Sequence, residues 1–407
     1  MNEELDFSLE IVILLLLAIF MSLFGFLLFG IRTGALRYNP DATYGLFLVI
    51  VSFQIIAMGK TPFGDFRRSW LLVAIGMCAA ILGMTACFIP GSLTGFARVS
   101  VGLVLLGGGV SLLVQLFASE EKAKTWMRVG GILRQLTVAC AFVYALTIGL
   151  GAITLFPGIV TDAQTAILLI LYGAGFAYLA WCIWKAELAY PPEARRQRIK
   201  DTGSKKYFGI FRETAFPPSV AILILLGILL TFLGLLLFPI NLGLLAFSPD
   251  GQFGLLLTVM AIQTMALGDT PLGQFRRSWS LIIVGLVFAA LGVVSTVVPG
   301  LLTGVIQIFV GLLNVIGGGV SLIQRYLPMR RASGTPPTAP AGILASLKKI
   351  TVTQTALNSV AIVFGISMLA PGLVPGPLIA GILVVNGLLL FILASALWTV
   401  IGAQSSR

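Results

Sequence analysis

Apolar runs of membrane-crossing length recur from one end of this chain to the other, and no other feature of the sequence restricts the fold as much. The segment IVILLLLAIFMSLFGFLLFGI, from Ile11 to Ile31, holds no charged residue. Crossing a hydrocarbon core of about 30 Å takes about 20 such residues. Lipid offers no hydrogen-bond partners, so a crossing segment must be a helix or part of a closed barrel. The runs are continuous rather than alternating, which reads as helix. Twelve are discernible, centred near Leu17, Val51, Ala80, Leu106, Tyr144 and Gly173, then Leu230, Met260, Leu286, Leu312, Val360 and Leu388. The expected fold class is all-α, a polytopic membrane protein of about twelve transmembrane helices.

Charge supports the same solvent. Only 10% of the 407 residues are charged, whereas a soluble domain carries about 25%. The net charge of +11 would suit nucleic acid, but its distribution does not. Of 26 Lys and Arg, all but Arg32, Arg37 and Arg98 fall in the loops after even-numbered spans or at the C-terminus. The positive-inside rule then predicts those loops and both termini in the cytoplasm, as in a multi-pass protein of a bacterial inner membrane. The acidic start MNEELDFSLE, followed by Arg32 and Arg37, favours the opposite orientation for the first span alone. It carries no basic region and no small-residue cleavage site, so it does not read as a removed signal peptide.

The chain is also an internal duplication. GKTPFGDFRRSW at Gly59–Trp70 returns as GDTPLGQFRRSW at Gly268–Trp279, 209 residues later, with nine of twelve positions identical. Pro40 matches Pro249, Gly45 matches Gly254, and PGSLTG from Pro90 matches PGLLTG from Pro299. Later, Pro157 matches Pro371, Gly173 matches Gly387, and Trp184 matches Trp398. The expected domains are residues 1–199, which include the start of a basic linker, and 200–407. Six spans per half is an even number, so both halves insert the same way up, related by a pseudo-twofold axis along the membrane normal.

Glycines add a second regularity. Gly76, Gly83 and Pro90 are seven apart, as are Gly95, Gly102 and Gly109; Gly285, Gly292 and Pro299, then Gly304, Gly311 and Gly318, repeat both sets. Seven residues is nearly two helical turns, so each set lines one face, and small residues on one face let membrane helices approach closely. Gly76, Gly83, Gly102, Gly109, Gly285, Gly292, Gly311 and Gly318 are therefore expected packing residues. The natural unit is a hairpin whose two spans meet along that seam below a tight Pro-Gly turn.

This pattern resembles the HdeD family of bacterial acid-resistance membrane proteins, built from glycine-spaced spans meeting at Pro-Gly turns and containing six spans. Gly76, Gly83, Pro90, Gly91, Gly102 and Gly109 and their second-half counterparts carry the resemblance, which covers spans 3–6 and 9–12 best. It implies two fused HdeD-like units. A weaker resemblance, to the major facilitator transporters, rests on the six-plus-six arrangement and on the loop between spans 2 and 3. There Gly59 with Arg67-Arg68, and Gly268 with Arg276-Arg277, stand in register with that family's signature, but Phe63 and Phe66 replace its Asp and second Gly. The close similarity of the two halves also departs from facilitator divergence.

Three groups are candidate sites. Arg67, Arg68 and Trp70, with Arg276, Arg277 and Trp279, mark the predicted cytoplasmic start of spans 3 and 9. They read as topogenic anchors, or as sites for anionic phospholipid or an acidic partner, since guanidinium forks bind phosphate bidentately. Gln54 and Gln263 occupy matching positions in spans 2 and 8, which are short and end at Gly-x-Thr-Pro. Such paired, interrupted spans point to a transporter binding site, or each Gln simply bonds a neighbouring helix. Gln307, Asn314, Asn358 and Asn386 are polar positions without a match in the other half. Cys78, Cys87, Cys140 and Cys182 lie in apolar segments with no C-x-x-C and read as buried structural thiols.

Several chemistries find no support in the residues. There is no histidine, the commonest general base and metal ligand. No phosphate loop, nucleophile elbow, metal or haem motif occurs. Carboxylates avoid the span interiors, against expectation for an ion-coupled carrier. Residues 185–213 form a basic connector and 330–349 a Pro- and Ala-rich linker. The chain reads as non-enzymatic and free of cofactors, either an HdeD-like protein of stress or acid tolerance or membrane scaffolding, or a transporter or pore for a small neutral or anionic solute. Its expected partners are the bilayer, anionic phospholipid at the cytoplasmic face, and other membrane subunits or a second copy.

Overall fold

The computed structural model describes residues 8–58, 60–61, 64–65, 70–118, 131–189, 218–270, 273–274, 278–331 and 341–405. They form twelve helices: α1 (Leu9–Arg32), α2 (Pro40–Met58), α3 (Trp70–Phe88), α4 (Thr94–Ala118), α5 (Gly131–Leu155), α6 (Asp162–Ala189), α7 (Pro218–Asn241), α8 (Pro249–Leu267), α9 (Trp279–Val297), α10 (Thr303–Arg331), α11 (Ala341–Leu369) and α12 (Gly376–Ser405). Each expected span centre lies in one of them. Nine, all but α2, α3 and α8, are long and apolar enough to cross a membrane among the described residues. The protein is thus a predominantly α-helical polytopic membrane protein.

Backbone contacts divide the chain into two compact units. The first holds α1–α6 together with α8 and α9; the second holds α7 and α10–α12. The first unit therefore does not coincide with the sequence repeat, since α9 from the second half packs on α1 and α2.

In the first unit α1 pairs with α6, α2 with α3, and α4 with α5. Helix α2 is enclosed on all sides along its middle. Every residue of α2 from Leu46 to Phe53 is buried, so no face of that stretch reaches lipid. In α8 the stretch from Gly251 to Leu255 is likewise buried, as are Leu257, Thr258, Val259, Ala261 and Ile262. A helix apolar all round belongs inside a bundle.

The glycine seams select partners other than the expected ones. The seam of α3 was expected to meet that of α4. Instead, a methyl group built on Gly83 would stand 2.5 Å from the Gly45 carbonyl oxygen, and one on Gly45 would strike Gly83, so α3 crosses α2 backbone to backbone. Gly76 faces Ile56 of α2. The seam of α4 meets α5, Gly102 facing Leu155 and Gly109 facing Ile148 and the Tyr144 carbonyl. Helix α2 packs against both α3 and α4 and takes the place beside α3 that the hairpin reading gives to α4. The physical reason is Gly45: a small residue on α2 allows a closer approach than the α3–α4 turn does.

The same contacts return in the second half. Gly254 meets Gly292, and Gly285 faces Met265. In the second unit, Gly311 faces Leu369 and the Gly365 carbonyl, and Gly318 faces Ile362 and the Asn358 carbonyl. The α1–α6 crossing, where Ser22 abuts Gly173, reappears between α7 and α12, where Thr231 abuts Gly387.

The Pro-Gly turns form as expected. Gly91 and Gly300 have φ of 83° and 85°, a left-handed backbone that glycine adopts without steric cost. The Gly91 N–H donates to Asp41 Oδ2 at 2.6 Å, tying the start of α2 to the turn before α4.

Candidate functional site

The duplicated loop follows the enclosed helices α2 and α8. After α2, strands β1 (Lys60–Thr61) and β2 (Gly64–Asp65) pair antiparallel, Lys60 with Asp65 and Thr61 with Gly64. After α8, strands β3 (Asp269–Thr270) and β4 (Gly273–Gln274) pair in the same register, Asp269 with Gln274 and Thr270 with Gly273. Both copies of the duplicated stretch therefore contain a two-residue antiparallel strand pair.

Arg67, Arg68, Arg276 and Arg277 lie outside the described residues. Trp70 and Trp279 open α3 and α9. Trp279 is exposed, and its ring packs edge-on against Trp184 near the end of α6, centroids 6.2 Å apart. Lys185 Nζ sits 5.5 Å from the Trp184 ring centroid. Sequence reasoning placed Trp184 only as a match to Trp398; its contact with Trp279 joins the two halves and had no sequence signal. An aromatic pair beside an ammonium, at the ends of apolar helices, has the chemistry of an interfacial anchor, with an apolar body and a polar rim.

Gln54 and Gln263 are both part-buried in the later turns of α2 and α8. The hydroxyls of these helices are occupied locally: Ser52 Oγ donates to the Val49 carbonyl at 2.6 Å, and Thr258 Oγ1 to the Gly254 carbonyl at 2.9 Å. Next to α8, Ser295 Oγ donates to the Asp250 carbonyl at 3.1 Å, and Thr296 Oγ1 to the Gly292 carbonyl at 2.8 Å. These polar groups serve the packing of the enclosed helices.

The unmatched polar residues fall into two kinds. Gln307 Nε2 donates to the Met368 carbonyl at 2.8 Å, and Asn314 Nδ2 to the Val310 carbonyl at 2.8 Å. Asn386 Oδ1 is buried without a hydrogen-bond partner among the described residues. In the first half, the corresponding Tyr172 hydroxyl shares a 2.8 Å hydrogen bond with Thr147 Oγ1; the residue in register with Thr147 is Ala361, which has no hydroxyl to offer.

Two cysteines, Cys87 and Cys182, are buried; the Cys87 thiol donates to the Ala42 carbonyl at 3.4 Å. Cys78 on α3 is exposed and Cys140 on α5 is half-buried, so the expectation of buried thiols fails at both. Among the described residues, no three His, Cys, Asp or Glu side chains cluster as metal ligands would. No protein-family model, no curated protein and no solved structure matches this chain.

Proposed function

We propose that this chain is a non-enzymatic scaffold of the bacterial inner membrane, built as two HdeD-like six-span halves about a pseudo-twofold axis, with both termini cytoplasmic. The observation that carries the reading is the repeated glycine crossing, Gly45 against Gly83 and Gly254 against Gly292, at which no methyl group fits. Backbone contact of that kind seals helices together and suits a rigid frame better than a moving gate. A role in stress or acid tolerance rests on the HdeD resemblance, and binding of anionic phospholipid at the cytoplasmic face on the Arg-Arg-Ser-Trp repeats.

A second reading, a transporter or pore for a small neutral or anionic solute, is favoured by one observation. The two enclosed helices α2 and α8 both bear a part-buried glutamine and both end at an interrupted segment, an arrangement associated with solute sites in transporters.

Solute flux separates the two. Purified protein in liposomes is expected to pass neutral and anionic solutes no faster than protein-free liposomes. Saturable flux abolished by Gln54→Leu with Gln263→Leu would replace the scaffold reading with the second.

A further inference from the structure

The duplication offers an internal comparison at the Pro-Gly end of each half. In the second half, Gln307 on α10 is closed off by its bond to the Met368 carbonyl, and Phe253 is buried on α8. The residues in register in the first half are Arg98 on α4 and Tyr44 on α2. Arg98 is part-buried, and its Nε is buried with no hydrogen-bond partner among the described residues. Helix α4 packs on α2, and the Asp41–Gly91 bond holds the start of α2 against the turn that leads into α4. Tyr44 lies where the charges of both Arg98 and Asp41 act on it. Arg32 and Arg37 are exposed at the same end of the first half.

A satisfied amide and a phenyl ring in one half thus stand against a cation with an unused, buried N–H and a phenol in the other. A guanidinium N–H removed from water calls for an acceptor, and an anion provides one. Arg98 also opposes the charge bias that orients the chain, so topology does not account for it. At the end of a membrane-spanning bundle, phosphate is the anion at hand, and the planar guanidinium fork matches it.

We propose that Arg98 and Tyr44 form a phosphate-binding site at the Pro90–Gly91 end of the first half, with the Arg98 guanidinium holding phosphate oxygens and the Tyr44 hydroxyl adding a donor. The phosphate belongs either to a phospholipid headgroup or to free inorganic phosphate. The site does not depend on which face of the membrane this end occupies.

The test uses the full-length protein in two arms. One measures phospholipid retained through purification by native mass spectrometry; the other titrates inorganic phosphate into delipidated protein by calorimetry. Arg98→Gln and Tyr44→Phe place in the first half the residues that the second half already carries, so both variants are expected to fold. Arg98→Gln should weaken binding by about tenfold or more, and Arg98→Lys should weaken it less. Loss in the phospholipid arm alone identifies a headgroup; loss in the phosphate arm alone identifies the free ion. Should Arg98→Gln also lower the melting temperature, Arg98→Lys decides: at an unchanged melting temperature it should still bind more weakly than wild type. Wild-type protein that binds in neither arm, or variants that bind as wild type does, would overturn the proposal.

Discussion

The backbone N–H of Asn39 donates to the carbonyl of Val297 at 3.1 Å. Asn39 precedes α2 in the first half, and Val297 ends α9 in the second. The same Asn39 accepts the Ala42 N–H at Oδ1, 3.1 Å away, and so caps α2. One residue thus closes the start of an enclosed helix and satisfies a terminal carbonyl of a helix from the other repeat. Residues 1–199 expressed alone should therefore be unstable, and should be recovered when co-expressed with residues 200–407. Co-purification of differently tagged halves measures this. A first half that is monodisperse alone, and melts as the full chain does, would show that α8 and α9 are dispensable to it.

The glycines divide into closed and open positions. Gly83→Ala puts a methyl group against the Gly45 carbonyl and should cost about 1–3 kcal/mol. Gly149 has open space around the added methyl, so Gly149→Ala should stabilise α5 by about 0.5–1 kcal/mol. Thermal melting in one detergent compares them. Equal effects at both positions would remove the crossing as the source of stability.

Hydrogen bonding between α5 and α6 differs from that between α11 and α12. Thr147→Val keeps the shape of Thr147 but strands the buried Tyr172 hydroxyl, and should destabilise by about 1–3 kcal/mol. Asn386→Leu removes an acceptor that has no partner, and should be neutral or stabilising. The same melting assay reads both, and a strongly destabilising Asn386→Leu would mean that this side chain has work to do in binding.

The bias of basic residues predicts the orientation. In a chain whose four native cysteines are replaced, a single cysteine at position 204 or 334 should resist a membrane-impermeant maleimide in intact cells and react after lysis. Reaction before lysis would reverse the topology.

Much of the architecture is legible in the residues, for reasons that also mark where legibility stops. Helix positions follow from apolar runs, because a hydrocarbon solvent enforces length and continuity. The left-handed turns at Gly91 and Gly300 follow from the Pro-Gly pairs. Partner choice does not. A small-residue face such as Gly76–Gly83 states that some helix comes close, but carries no record of which one; α2 announces itself only through Gly45, a glycine with no seven-residue companion on its own helix. The Trp184–Trp279 contact and the Asn39–Val297 bond join residues more than ninety positions apart and leave no periodic trace in either segment. The Arg98–Tyr44 pair emerges only when each is set beside its counterpart in the other half.

The architecture turns on two short helices sealed inside protein, and hydrogen–deuterium exchange of the chain in nanodiscs tests that most directly. The buried stretches, residues 46–53 of α2 and 251–255 of α8, should stay protected at exchange times that fully label the connecting loops. Exchange there as fast as in the connecting loops, or slowed on adding solute, would contradict a sealed frame and mark the interior of the first unit as a water-filled path.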